Sequence, residues 1–163
     1  MKQAFSKIAL DPYYPLVAGY EWIYTDQLTG ESLVYAIRRL SPTPAGGVVC
    51  FASAAGEESF FISRRCLYRS DEPSAPILRF PLRDGARWNY DDPDMGSVWC
   101  HVHGPEEIHT PAGRLRDCFR VEHRADGTAF LIEWYAWEVG LAKWVERHGD
   151  HHRSFALTGL ACL

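Results

Sequence analysis

The sequence predicts an all-β protein: two repeated antiparallel meanders merged into one strongly twisted sheet or a partly open barrel. Three observations lead there. First, Pro15, Leu16, Gly19, Trp22, Tyr24, Asp26 and Gly30 recur 66 positions later as Pro81, Leu82, Gly85, Trp88, Tyr90, Asp92 and Gly96, so one supersecondary unit is used twice. Second, most segments alternate apolar and polar residues with period two and are punctuated by Gly, Pro and Asp, as half-buried strands are. Third, aromatic residues make up 13% of the chain, including six Trp and eight Tyr, and such rings pack well on a pleated surface.

Taken in order, the first copy puts Tyr20, Trp22 and Tyr24 on one face and Glu21 and Thr25 on the other. The second opposes Ala86, Trp88 and Tyr90 to Arg87, Asn89 and Asp91, which makes the Trp-x-Tyr face the buried one in both. Each copy then reaches Asp-x-x-x-Gly, where Asp can accept its own turn's N–H groups and Gly can take positive φ. That predicts reversals into partner strands over residues 32–40 and 97–102. Further strands are expected over 48–52, 59–63 and 67–69, with Gly46-Gly47 and Ala55-Gly56 as breaks. A polar, twice proline-interrupted linker follows at 71–78.

In the second half, Thr110-Pro111-Ala112-Gly113 reads as a tight turn. The clearest hairpin joins 118–124 to 128–135 through Asp126-Gly127, the pair a type I′ turn prefers. Another joins 141–147 to 153–157 through His148-Gly149-Asp150-His151. The 163 residues have the size of one domain, able to remove roughly 70% of the unfolded surface from water. We therefore expect a single domain, 1–163, with repeat units of about 13–70 and 79–163.

Bulk composition excludes several partners. Seventeen Lys and Arg against 21 Asp and Glu give a net charge of −4, and the pairs Arg38-Arg39 and Arg64-Arg65 do not form the field that phosphate binding needs, so no nucleic acid is expected. No run approaches the ~20 apolar residues of a membrane span. Residues 1–10 lack the apolar stretch of a secretory signal, which points to a soluble, cytoplasmic protein, or to an exported one whose leader has been removed. The five cysteines are odd in number and lack a C-x-x-C pair, so reduced thiols are expected over a disulfide framework.

The candidate binding residues are aromatic. A curved sheet cannot fill its own concavity unless something plugs it, and no plug is evident in the sequence, so an apolar groove is expected with Trp22, Tyr24, Trp88 and Tyr90 on its floor. The function this implies is non-enzymatic binding of a hydrophobic small molecule or an extended partner segment, with no cofactor. A homodimer joined through an unpaired sheet edge is a further structural reading.

Histidines suggest the alternative chemistry. His101 and His103 share a strand face and, with Glu107 and His109, offer the nitrogen and oxygen donors that Zn, Fe or Mn takes. This string resembles the first motif of the cupin family, which implies a metal-dependent enzyme. Gly96 stands one residue too close to His101, however, Gly113 follows Glu107 one residue too soon, and no later P-x-G-x-x-H segment exists. By the repeat, His101 and His103 take the places of Tyr35 and Ile37, which are ordinary packing or rim positions. His148 and His151 should face each other across a polar turn beside His152. Cys100 cannot pair with His101, because neighbouring strand residues point to opposite faces.

The paired PL-x-x-G-x-x-W-x-Y strings, the Thr110-Pro111-Ala112-Gly113 turn followed by Cys118, and the segment Trp134-Tyr135-Ala136-x-x-Val139-Gly140-Leu141-x-Lys143 together resemble uncharacterised bacterial proteins, many exported or lipid-anchored. The resemblance spans Tyr13 to about Arg147. It implies a curved antiparallel sheet, lipocalin-like in outline, and brings no established activity. Trp137-Glu138 stands where those proteins usually show Pro-Gly, and no anchor cysteine precedes the first repeat.

Overall fold

Period-two alternation is realised throughout the computed structural model, which describes residues 7–44, 46–69 and 75–162; residues 71–74 of the expected linker, and residues 1–6, lie outside the described residues. The first half holds β1 (Lys7–Asp11), β2 (Tyr14–Val17), β3 (Tyr20–Asp26), β4 (Ser32–Thr43), β5 (Gly46–Ser53), β6 (Gly56–Ser63), β7 (Cys66–Arg69) and β8 (Leu78–Arg79). The second holds β9 (Arg87–Asp92), β10 (Gly96–Thr110), β11 (Gly113–Ala125), β12 (Thr128–Ala136), β13 (Gly140–His148) and β14 (His151–Cys162). No helix occurs among the described residues.

Twelve strands form one antiparallel sheet in the order β8-β7-β6-β5-β4-β3-β14-β13-β12-β11-β10-β9. Each half is a meander, and the two are joined where the last strand, β14, pairs with β3 and sets Leu157 opposite Tyr24. The sheet curls into a nearly closed barrel with one unsealed seam, between β8 and β9. Curling brings the two edge strands of this sheet toward each other, and an ion pair of 3.0 Å from Arg69 of β7 to Asp92 of β9 spans the gap.

The repeated turns form as their chemistry requires. Asp26 Oδ1 accepts the N–H groups of Leu28 (2.8 Å) and Thr29 (3.3 Å), and Asp92 Oδ1 those of Asp94 (2.9 Å) and Met95 (3.0 Å). Gly30 and Gly96 take φ of 76° and 73°, a region costly for any residue with a Cβ. Asp126 and Gly127 are both left-handed, at φ of 49° and 77°, and close the β11–β12 hairpin as a type I′ turn. His148 and His151 do face each other across the β13–β14 turn.

The structure departs from expectation in three places. Leu78, placed in the linker by sequence, is buried in β8 opposite Leu67. The β1–β2 ribbon, unforeseen, buries Ile8, Leu10 and Leu16 in the main core and sends Tyr14 between Phe51 of one meander and Phe80 and Tyr135 of the other, acting as the plug. The third departure is in register. In the first hairpin Trp22 stands opposite Tyr35; in the second Trp88 stands opposite Cys100, one residue earlier than the repeat predicts. A one-residue slip exchanges the faces of a strand. Val98, Cys100 and Val102 therefore point into the core, while Trp99, His101 and His103 turn outward and do not occupy the packing places of Tyr35 and Ile37.

Candidate functional site

Inward-facing residues of six strands and the ribbon enclose a cavity of about 210 Å³. Its aromatic wall comes from Trp22 and Tyr24 on β3, Tyr35 on β4, Phe51 on β5, Phe60 on β6 and Trp144 on β13, with Tyr14 above them. Alternation and pairing put them together: Tyr35 lies opposite Trp22, and Trp144 opposite Phe155, on which it stacks at 4.6 Å. Tyr24 meets Trp144 edge-on at 4.7 Å. Edge and offset contacts of this kind add roughly 0.5–1.5 kcal/mol each beyond area burial, and they hold the rings in place.

Three of these rings spend their polar atoms on the wall. Trp22 Nε1 donates to the Val139 carbonyl (2.6 Å), Tyr24 Oη to the Leu141 carbonyl (2.7 Å) and Trp144 Nε1 to Glu146 Oε1 (2.9 Å). The rest of the lining is ring and aliphatic surface, the tyrosines Tyr14 and Tyr35, and three carboxylates, those of Glu58, Glu133 and Glu146. Among the described residues, no Lys, Arg or His lines it. Burial, followed by the Glu58, Glu146 and Glu133 carboxylates, pushes the Tyr35 hydroxyl above its usual range, so it stays neutral at physiological pH. Tyr14 and Tyr24 are raised too, chiefly by burial.

Behind Glu133 lies a buried polar chain. His123 on β11 is paired with Cys100 on β10; its Nε2 lies 2.9 Å from Glu133 Oε2, and its Nδ1 lies 3.2 Å from the Tyr90 hydroxyl and 3.3 Å from Cys100 Sγ. Burial first, and Glu133 second, pushes the Cys100 thiol far up, while burial and then Cys100 raise Tyr90. Both neighbours of Nδ1 therefore keep their protons. One imidazole thus links the Glu133 carboxylate on its Nε2 side to the Tyr90 hydroxyl and the Cys100 thiol on its Nδ1 side. Thiol, imidazole and carboxylate stand in the order of a catalytic triad, but nucleophilic attack needs a thiolate and this site disfavours one. The chain's effect is to fix the Glu133 carboxylate.

Of the four aromatic residues expected on the binding floor, Trp22 and Tyr24 line the cavity. Trp88 and Tyr90 do not: both are buried, but on the edge strand β9, where Tyr90 engages His123 and Trp88 Nε1 has no hydrogen-bond partner among the described residues. The histidine set divides. His101 and His103 lie side by side on the outer face, ring centroids 4.1 Å apart and planes tilted by 52°, and burial, then His103 and Arg87, lowers the His101 pKa. Glu107 and His109 stand farther along β10, past two register shifts, where Glu107 is held by Arg114 and Arg116. Among the described residues no three His, Cys, Asp or Glu side chains gather as a metal site would need.

Sequence reasoning missed Tyr35, Phe51, Phe60, Trp144, His123 and the three carboxylates. A signal for the acids did exist. Glu133 interrupts the inward series Leu131, Tyr135, Glu58 shares its parity with Phe60 and Ile62, and Glu146 shares that of Trp144, so each is an acid where the alternation calls for an apolar side chain.

No protein-family model and no curated protein sequence matches the chain. Solved structures do. A protein from Bacteroides fragilis, described as exported and having a YmcC-like fold, superimposes with a TM-score of 0.52 at 16% identity, covering 91% of this chain and 98% of its own. The two share a fold. A lipoprotein from Parabacteroides distasonis aligns over the same shares, 91% and 98%, at 15% identity with a TM-score of 0.45.

Proposed function

We propose that this protein is a non-enzymatic binding module that holds a small hydrophobic molecule in the cavity between the β3–β6 and β12–β13 walls. The observation that carries this reading is a preformed, aromatic-lined concavity in which Trp22, Tyr24 and Trp144 have their N–H and O–H groups satisfied by the wall, so that desolvating these three rings on binding leaves their donors paired. Enclosure on several sides by strands favours a compact molecule over an extended partner segment. The buried Cys100 thiol supports the non-enzymatic part of the reading.

Tryptophan fluorescence tests it, since Trp22 and Trp144 both line the cavity. Titration with neutral branched and aromatic alcohols is expected to quench or shift the emission saturably. Trp22→Ala, shown by circular dichroism to remain folded, is expected to lose that response, and Trp88→Ala to keep it. Identical binding by the parent and both variants, or no binding by the parent, would rule the reading out.

For location, five unpaired thiols support a reducing compartment. The exported description of the Bacteroides fragilis protein supports export instead. No helix among the described residues is long and apolar enough to cross a membrane. Fractionation of cells expressing the chain decides between the two.

A further inference from the structure

We infer that the cavity is built for a compact organic cation, an alkylated ammonium carried on a small apolar body. The inference rests on the binding reading above and adds the charge of the ligand. An aromatic cavity meant for a neutral hydrophobe has no use for buried ionisable groups, because each carboxylate carried into a low-dielectric site costs free energy unless something compensates it. Three carboxylates line this one, of which Glu133 is the one largely withdrawn from water, and no cationic side chain lines the cavity among the described residues.

The three carboxylates are graded in depth. Glu58 is exposed at the mouth, the Glu146 side chain is 33% exposed, and that of Glu133 is 17% exposed. The deepest is held from behind: His123 Nε2 lies 2.9 Å from it. His123 therefore orients the Glu133 carboxylate from behind, on the side away from the cavity lining. Near the mouth, His148, which is 72% exposed, stands 3.8 Å from Glu146 and is the only charged or titratable partner of that carboxylate among the described ion pairs.

The class of cation follows from how the oxygens are arranged. A metal ion needs several oxygens or nitrogens converging within about 2–2.6 Å, and these carboxylates are spread round the wall without converging with other donors. A diffuse charge suits a dispersed set of acids. An alkylammonium also gains from ring faces, which attract cations through their quadrupole, and Trp22, Tyr24, Tyr35 and Trp144 supply four of the rings that do this best. An anionic ligand would meet repulsion from all three acids.

Isothermal titration of the whole chain with choline, and in parallel with its neutral carbon isostere 3,3-dimethyl-1-butanol, tests the charge at constant shape. Choline is expected to bind roughly tenfold tighter or better, the size of a desolvated cation–π contact with a carboxylate nearby. Glu133→Gln is expected to erase most of that preference for choline over the alcohol. Glu58→Gln, at the exposed mouth and harmless to folding, is expected to reduce it several-fold, and keeps the test open if the Glu133 variant misfolds. Equal affinities, a preference for the alcohol, or a choline preference untouched by both variants would overturn the cationic ligand and leave the binding module standing. No binding of either compound would overturn both.

Discussion

Two walls of this barrel carry the same string of residues and have opposite fates. On β3, Trp22 and Tyr24 satisfy their polar atoms against the carbonyls of Val139 and Leu141 and present their rings to an open cavity. On β9, Trp88 and Tyr90 are equally buried, yet Tyr90 is engaged by His123 and Trp88 leaves its N–H unpartnered in packed surroundings. Two differences account for this. β3 lies mid-sheet beside β14, whereas β9 borders the seam, and the β9–β10 register is one residue shorter, which fills the interior with Val98, Cys100 and Val102 where β4 offers Leu33, Tyr35 and Ile37. A duplicated motif duplicates a framework; the neighbours decide whether the framework is filled.

Substitutions that treat the walls alike should therefore have unlike effects. The largest is expected from Trp88→Ala, which empties packed core and should cost about 3–5 kcal/mol, against less for Trp22→Ala, whose lost ring enlarges a space already open. Urea unfolding of both, followed by circular dichroism and fluorescence, checks the ranking, and a single coincident transition is expected because both meanders share one sheet. Equal losses would break the comparison.

Next come the two turn aspartates. Asp26→Ala strands the N–H groups of Leu28 and Thr29 and the Arg153 guanidinium, 3.3 Å away, and Asp92→Ala strands Asp94, Met95 and Arg69. Each is expected to cost about 1–2 kcal/mol. Arg153 is half exposed, so solvent screens its share and the backbone amides carry most of the effect. Loss of the Arg69 pair should in addition loosen the seam, seen as faster hydrogen exchange in β7 and β9 but not in β3.

The Asp26 carboxyl is held below its ordinary pKa, chiefly by the Leu28 N–H and against the opposing effect of burial, with Thr29 and Arg153 adding to the lowering. A depressed carboxyl stabilises the fold above its unfolded pKa, near 3.9, and loses that contribution as pH falls through the lower folded value. Melting temperatures of the parent and Asp26→Asn should thus differ at neutral pH and converge in acid.

The smallest effect is expected from Tyr90→Phe, about 1 kcal/mol, since Cys100 remains to face His123 Nδ1; Tyr24→Phe should cost slightly more, because it leaves the Leu141 carbonyl without its donor. Thermal melts of the pair check the order.

Much of this was legible beforehand. Trp-x-Tyr alternation, the Asp-x-x-x-Gly reversals and Asp126-Gly127 are local devices whose geometry follows from a few adjacent residues, and the strands they predict are present. The cavity was half legible. Trp22 and Tyr24 were visible as a repeated pair, but Glu58, Glu133, Glu146 and His123 come from three other hairpins, and no local signal says which strands will lie opposite one another.

Sequence alone determined the strand class, the turns and the faces within each strand, because steric and hydrogen-bonding preferences act over four or five residues. Tertiary structure decided which faces share a lumen, that β14 joins the halves beside β3, that the β1–β2 ribbon fills one side, and that a single residue of register turns His101 and His103 out and Cys100 in. The shared lumen and the joining of the halves depend on contacts between residues more than a hundred positions apart, such as Trp22 with Val139 and Tyr24 with Leu141, whose free energy is realised only once the whole sheet has curled.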